Sequence, residues 1–485
     1  MATILDSNDP TTFSKCSEYL SMNGCVAFPT ETVYGLGANA LNADAVLSIF
    51  KFKGRPLSDP LIVHCKDANT ARQLIILEDE TTFISTEINT NITTNTSESD
   101  TLHIKSAAAL AFDLLSALFW PGPLTIVAKA VDLIPRVVTA NTGFVGVRVP
   151  KHPVALTLLQ TCGLPIAAPS ANRFGHVSPT SASHVFQDLG QHPIFILQSQ
   201  EKNREEEKDR VNENKVVVTE KEKGEFGKNL SYSSSSSCAV GIESTVAKIE
   251  GFHWNLDNLT TTTTTTSSSS SSSSSSKISS SRRSVRITIL RRGGVSAQEI
   301  KDCLSSLIKQ DIDVSVQLAS LPSSSSSTSS SSSSKTLPQE THEVHQAPGM
   351  LLSHYAPDIP AYLVAKISSS SSSLLLERIE QFHIKSSVIV DFGGSLHTLK
   401  DISHAYRDLS QIGSVEEACR LVFEFLRWAE SVNGAKSVLI ADPLLFFLSK
   451  EQRKGQKDIR IETGDRLDAL RDRVYRAASG REIEL

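Results

Sequence analysis

Residues 24–37 read GCVAFPTETVYGLG, in which a short apolar run is followed by hydroxyls, a carboxylate and two glycines. The run Gly24–Phe28 predicts a β-strand. Further on, Asn42 is placed to cap an amphipathic helix, and residues 61–64 return as a strand. A strand-helix-strand unit predicts an α/β fold, so the polar residues 29–37 lie at a strand end, where ligands of such folds usually bind. Alone, this segment is equally consistent with a tight turn.

The same alternation of strands and helices continues between inserts of low complexity. Polar or Ser/Thr-rich inserts cannot bury a core, and they are predicted at about 89–101, 198–237 and 257–282. Strands predicted at 245–249 and 285–290 bracket the third insert as the two arms of a hairpin. The predicted organisation is a first α/β domain over 1–307, a linker over 308–357 and a smaller second α/β domain over 358–485.

Composition limits the classes of protein that fit. The 485 residues carry a net charge of −5, which excludes the strong global basic field of a non-specific nucleic-acid binder, so any anion site is local. The seven cysteines form no C-x-x-C pair, which predicts a reducing compartment and no structural metal site. The apolar runs are shorter than a bilayer span and the first residues lack a signal-peptide pattern, so a cytoplasmic protein without membrane contact is expected.

Cationic side chains recur near predicted strand and helix ends. Lys53 and Arg55 lie in the segment KFKGRPLSDP, 51–60, and predict a phosphate site, although a solvated helix end explains them equally well. Arg148 interrupts an apolar strand and needs a carboxylate or phosphate partner, so a buried internal ion pair is the alternative to a ligand site. His64, alone on its strand, is typical of a core histidine more often than of a functional one.

Small and hydroxyl-bearing residues follow other predicted strands. The segments are APSAN at 168–172, SPTS at 178–181, GIEST at 241–245 and LRRGG at 290–294. Small side chains let backbone amides approach a ligand closely, whereas Thr180 or Ser181 is also explained as a helix cap. Each segment is weak evidence by itself.

In this order, the motifs closely resemble those of the YrdC/Sua5 family of L-threonylcarbamoyladenylate synthases. The resemblance covers about 16–196, 238–250, 284–308 and the HYAP segment at 354–357, and more weakly a tail with RDRVYRAA at 471–478. It implies a YrdC-like twisted mixed sheet with a deep cationic cavity, plus a smaller C-terminal Rossmann-like α/β domain typical of the long Sua5 form. One departure is Arg292, which stands where the family usually has proline.

The resemblance also implies site residues, named here by their numbers in this sequence. Those expected around L-threonine or its carbamate are Thr30, His64, Arg148, Ala168 and Ser244. Those expected around ATP are Lys53, Arg55, Ser58, Ser170, Asn172, Ser178, Arg291 and Tyr355, with Tyr355 in a lid formed by the linker. Lys53, Arg55 and Arg148 are the expected catalytic residues, and no protein-bound metal site is implied.

The implied activity is synthesis of threonylcarbamoyl-AMP and pyrophosphate from L-threonine, bicarbonate and ATP with Mg²⁺, for the threonylcarbamoyl modification of adenosine in tRNA. The product would pass to a tRNA threonylcarbamoyl transferase complex, and a weak contact with tRNA is also expected. The main alternative is a double-stranded RNA or tRNA binding module without catalysis, which would need an extensive basic surface. A hydrogenase carbamoyl-transfer factor would need paired zinc-binding cysteines that this sequence lacks, and a scaffold would not explain the ordered motifs.

Overall fold

A computed structural model describes residues 1–77, 106–199, 238–253, 283–310, 312–319, 354–367, 380–448 and 464–485. The predicted inserts at 89–101 and 257–282, nearly all of 198–237 and most of the predicted linker lie outside these residues. Within the described part of the chain, no helix is long and apolar enough to cross a membrane.

Twelve strands of the described residues form one mixed sheet. In chain order they are β1 (Thr3–Asp6), β2 (Cys25–Phe28), β3 (Gly35–Asn39), β4 (Ile62–His64), β5 (Ile75–Ile76), β6 (Leu124–Ala130), β7 (Phe144–Arg148), β8 (Ile166–Ala167), β9 (Ile194–Gln198), β10 (Thr245–His253), β11 (Arg283–Arg291) and β12 (Ile312–Leu318). Their order across the sheet is β1-β9-β2-β3-β8-β4-β7-β6-β10-β11-β12, with β5 paired to β6. The twisted mixed sheet expected from the resemblance is therefore confirmed.

Helices cover this sheet through their apolar faces. They are α1 (Thr12–Ser21), α2 (Ala43–Lys53), α3 (Ala68–Arg72), α4 (Ala107–Phe119), α5 (Pro153–Cys162), α6 (Ala182–Leu189) and α7 (Ala297–Ile308). Asn42 caps α2 as predicted, since its side chain accepts a hydrogen bond from the amide of Ala45, and Ser181 caps α6 in the same way. Val46, Ile49 and Phe50 are buried on the predicted face of α2.

The predicted hairpin is confirmed, because β10 and β11 pair in antiparallel orientation. The first sheet extends further than predicted, however. β12 pairs parallel to β11 and lies within the residues assigned to the linker. Ile312 is buried, and Val314 and Val316 are half-buried between exposed residues, a strand pattern that the nearby Ser tract concealed in the sequence.

The second domain is a parallel α/β sheet. Its strands are β13 (Ala361–Lys366), β14 (Ser387–Asp391), β15 (Ala405–Asp408), β16 (Ser437–Ala441) and β17 (Glu482–Glu484), in the order β15-β14-β16-β13-β17. Helices α8 (Val415–Ser431) and α9 (Gly464–Ala477) pack on it. The predicted Rossmann-like domain is confirmed, whereas most of a helix predicted at about 374–382 lies outside the described residues.

The two domains share an apolar contact. Val33, Val177 and Ile242 of the first domain are buried in the same cluster as the core of the second domain. Gly241 has a positive φ of 74° and lies so close to the backbone of Arg420 on α8 that a side chain would clash. This close approach fixes α8 against the first domain.

Charged side chains lie at one side of the same interface. Asp188 of α6 is buried and accepts hydrogen bonds from Arg427 of α8 at 2.8 Å and from Nδ1 of His176 at 2.9 Å. The other ring nitrogen of His176 lies 3.0 Å from Glu430 of α8. Burial alone disfavours the charged imidazole, but the bonds to Asp188 and Glu430 outweigh burial and raise the pKa of His176. Both ring nitrogens can donate only when the imidazole is protonated.

The pH dependence of stability tests this interface. Because the pKa of His176 is raised from 6.5 in the folded state, its contribution is complete below pH 6.5 and is lost as pH rises through the raised value. Urea denaturation from pH 6 to 8.5 is expected to show a fall in stability that His176→Gln abolishes. His383→Gln, at an exposed histidine of the second domain, should keep the fall. Equal pH slopes for wild type and His176→Gln would contradict the interpretation.

Candidate active site

One cavity collects residues from strand ends across the first sheet. It is partly open to solvent, and its wall includes three arginines and one carboxylate. The lining residues are Thr30, Thr32, Val33, Tyr34, Gly35, Arg55, Ile62, His64, Arg148, Ala168, Pro169, Ser170, Glu243, Ser244, Arg291, His354 and Tyr355. Segments up to 325 residues apart in the sequence therefore meet at one site, as the motif order predicted.

Arg148 ends β7 beside His64, which ends the parallel neighbour β4 in the same register. Its Nη2 lies 2.6 Å from the carboxylate of Glu31, and its Nε donates to the carbonyl of Gly122 at 3.1 Å. Glu31 also accepts a hydrogen bond from the amide of Lys151. The internal ion pair that the sequence offered as an alternative is therefore present, between Arg148 and Glu31. The Arg148 side chain also lines the cavity.

Arg55 lies just beyond α2, where Gly54 in the left-handed region ends the helix. Its Nη2 lies 2.9 Å from the carboxylate of Asp59 and donates to the carbonyl of Pro60. Lys53, on the last turn, lies behind the wall: its ammonium donates to the carbonyls of Ser170 and Asn172. Burial, and then the charge of Arg55, lower the pKa of Lys53. Lys53 therefore supports the loop that presents Ser170.

Ser244 and Arg291 are brought together by the β10–β11 hairpin. Val246 pairs with Arg291 across the two strands, and the Arg291 guanidinium donates to the carbonyl of Ser244 at 2.9 Å and to its hydroxyl at 3.1 Å. Gly293 passes so close to the backbone of 243–245 that only a residue without a side chain fits. The first glycine of the LRRGG segment therefore has a packing reason.

Two histidines give the cavity neutral rings. Burial, and then the charge of Arg148, lower the pKa of His64 to about 3. Burial, with Arg55 next, lowers the pKa of His354 well below its ordinary value. Nδ1 of His64 and the hydroxyl of Tyr355 are buried without a hydrogen-bond partner among the described residues, so both can bond a substrate.

The structure brings most of the predicted site residues together. All five predicted threonine ligands line the cavity, as do Arg55, Ser170, Arg291 and Tyr355 among the predicted ATP ligands. The other predicted ATP ligands lie outside the lining. Lys53 donates to the carbonyls of Ser170 and Asn172, and the Asn172 amide donates to the carbonyl of His176. Ser178 donates to Glu243 at 2.8 Å, and Ser58 is half-buried on the loop after α2. Their roles as ligands stay predictions.

Sequence reasoning missed two carboxylates. Glu31 and Glu243 stand inside quoted motifs but received no role. Both could have been found from the sequence, because each buried arginine needs a negatively charged partner and Glu31 and Glu243 are among the few acidic residues in the motifs. Arg473, which reaches Glu243 from the second domain at 2.9 Å, belongs to the weakly matching tail and no local pattern indicated its burial.

Comparison with known proteins identifies the family. A family model described as "Telomere recombination" matches residues 18–221, and one described as "Threonylcarbamoyl-AMP synthase, C-terminal domain" matches residues 295–479. The threonylcarbamoyl-AMP synthase of Bacillus subtilis is 44% identical over 187 residues, which are 38% of this chain and 45% of the relative. The enzyme of that name from Xanthomonas campestris is 31% identical over 158 residues, 32% of this chain and 68% of the relative. The chain belongs to the threonylcarbamoyl-AMP synthase family.

A solved structure shares the fold of this chain. The crystal structure of Pyrococcus abyssi Sua5 complexed with L-threonine aligns over 100% of this chain and 99% of that one, with a TM-score of 0.60 and 23% identity. At that identity the likeness shows the shared two-domain fold. The sequence match to the Bacillus subtilis member of the threonylcarbamoyl-AMP synthase family spans less than half of that relative's length.

Removal of Glu31 tests how the cavity arginines are held. Glu31→Ala would leave the buried guanidinium of Arg148 unpaired, so we expect the free energy of unfolding to fall by about 3–5 kcal/mol. Glu31→Gln, which keeps an acceptor oxygen, should lose less. Urea denaturation measures both, with Glu18→Ala at an exposed glutamate of α1 as the control. A Glu31→Ala protein as stable as that control would contradict the buried-pair interpretation.

Proposed function

We propose that this chain makes threonylcarbamoyl-AMP and pyrophosphate from L-threonine, bicarbonate and ATP, for modification of adenosine in tRNA. The observation that carries the proposal is a single cavity whose wall combines Arg55, Arg148 and Arg291 with hydroxyls and neutral rings. Such a wall suits two anionic substrates held side by side. The similar proteins are threonylcarbamoyl-AMP synthases, which favours catalysis over an RNA-binding module.

The chemistry needs little beyond placement of the reactants. The amine of threonine and bicarbonate give a carbamate and water. A carbamate oxygen then bonds to the α-phosphorus of ATP, the bond from that phosphorus to the bridging oxygen breaks, and pyrophosphate leaves. Alignment of these groups and stabilisation of the charge on the phosphates would account for most of the rate.

The geometry suggests a division of the cavity. Arg148 and His64 lie together at the ends of β7 and β4, and with Thr30 and Ser244 they form the side proposed for threonine and its carbamate. Arg55 and Ser170 belong to the side proposed for ATP, and Tyr355 of the linker borders it. His64 would remain neutral at physiological pH and could donate or accept one hydrogen bond.

The donor set also fits Mg²⁺ delivered with ATP. The described lining offers several hydroxyls, whereas both oxygens of its carboxylate, Glu243, are already bonded to Arg473 and Ser178. Mg²⁺ prefers oxygen ligands in octahedral geometry and keeps several of its waters. Phosphate oxygens of ATP would therefore supply most of its other ligands. When bound, the ion would neutralise charge on the departing pyrophosphate.

The proposed partners and location follow from this reaction. The product would pass to a tRNA threonylcarbamoyl transferase complex, with a weak direct contact to tRNA. All seven cysteines are free thiols, which suits the proposed cytoplasmic location.

Pyrophosphate release tests the function directly. Purified protein is incubated with ATP, Mg²⁺, bicarbonate and labelled threonine, and each substrate is omitted in turn. We expect release that requires threonine and bicarbonate together, with label recovered in an adenylate. Release that is independent of threonine, or binding of double-stranded RNA without any turnover, would overturn the proposal.

Arg55 provides a sharper test of the ATP side. Arg55→Ala is expected to lower kcat by about 100- to 1,000-fold if the guanidinium contacts charge that develops on the phosphates. Lys51→Ala removes an exposed cation from α2, the helix that precedes Arg55, and serves as the matched control. Steady-state kinetics of pyrophosphate release measures both variants. Unchanged turnover in Arg55→Ala would refute the role of Arg55.

A further inference from the structure

Arg473 is a fully buried arginine that crosses from the second domain to the cavity wall. It lies on α9 with 0% of its surface exposed. Its Nε lies 2.9 Å from Glu243 of the first domain, and its Nη2 donates to the carbonyl of Arg292 at 2.8 Å. Its Nη1 contacts the neighbouring Asp472. A buried guanidinium bonded to two segments of another domain fixes the relative positions of those segments.

Each segment that Arg473 contacts lies beside a residue predicted to bind ATP, because Glu243 is bonded to Ser178 and Arg292 follows Arg291. One oxygen of Glu243 accepts the bond from Arg473, and the other accepts a hydrogen bond from Ser178 at 2.8 Å. Arg292 directly follows Arg291, which lines the cavity. The carboxylate of Glu243 is therefore held between one cation and one hydroxyl.

The second domain also sets the position of Tyr355. The guanidinium carbon of Arg473 lies 5.5 Å from the centre of the Tyr355 ring, and Phe423 of α8 lies 5.2 Å from it, ring centre to ring centre. Tyr355 itself adopts a positive φ of 68°, which a tyrosine holds only when its surroundings enforce it. Arg473 and Phe423 provide those surroundings.

We propose that Arg473 is a positioning residue through which the second domain holds Glu243 and Tyr355 in the wall of the ATP side of the cavity. This inference rests on the proposed function for its kinetic consequence. Arg473 also neutralises Glu243. Without it, Glu243, the carboxylate of the described lining, would lose its bonded cation and face the phosphates of ATP with less compensation, so repulsion would weaken ATP binding.

Removal of the Glu243 charge should restore the ATP binding that is lost with Arg473. Arg473→Met should raise the KM for ATP by about 10- to 100-fold, with a smaller effect on the KM for threonine. Adding Glu243→Gln removes the uncompensated charge, so Arg473→Met/Glu243→Gln should recover most of the lost affinity for ATP. Arg473→Lys keeps the charge but loses the forked contact, and should lie between wild type and Arg473→Met.

Arg471→Ala is the matched control. Arg471 lies on the same helix and makes a bidentate pair with Asp442 inside the second domain, at 2.8 and 2.7 Å. Its loss should disturb the second domain while leaving the KM for ATP unchanged. A KM for ATP that rises equally in Arg471→Ala and Arg473→Met, or that Glu243→Gln fails to restore, would overturn the inference.

Hydrogen-deuterium exchange separates this inference from the proposed function. Arg473→Met should speed amide exchange at 241–245 and 354–357, while Arg471→Ala should not. A wild-type protein that makes no threonine-dependent pyrophosphate would contradict the proposed function. The amide exchange rates would still show whether Arg473 holds the segments at 241–245 and 354–357. Unchanged exchange at both segments in Arg473→Met would overturn the inference whatever the activity.

Discussion

The cavity depends on buried or half-buried guanidinium groups that are each held by oxygen atoms of the protein. Arg148 is held by Glu31, Arg55 by Asp59, and Arg291 by the carbonyl and hydroxyl of Ser244. A buried charge without such a partner is costly, so these oxygens fix the cations as well as stabilise them. Because the cations are fixed before a substrate arrives, little reorganisation is needed when phosphate charge moves.

The fold supplies these partners through its sheet. Parallel pairing in register places His64 beside Arg148, and the β10–β11 hairpin places Arg291 beside Ser244. The linker residue Tyr355 then borders the same space and packs on Phe423 of the second domain. The two domains are therefore joined at the wall of the cavity, and motion between them would change its shape.

Sequence patterns predicted the elements better than the contacts between them. Gly24–Phe28, the Asn42 cap and the hairpin around 257–282 have strong local signals, and the structure confirms all three. β12 was missed because a Ser tract begins at 323, soon after the strand ends, and the whole region was assigned to the linker. The partnership of Glu243 with Arg473 joins residues 230 positions apart in different domains, and no periodicity or turn chemistry records such a pair. The motifs identified the cationic residues, while only the structure shows which carboxylates hold them.

A crystal structure with a non-hydrolysable ATP analogue and L-threonine would show whether the one cavity binds both substrates. We expect both ligands to occupy the one cavity, with threonine beside Arg148 and His64 and phosphate oxygens within hydrogen-bond distance of Arg55. A nucleotide bound elsewhere, for example at the strand ends of the second domain, with threonine alone in the cavity, would contradict it.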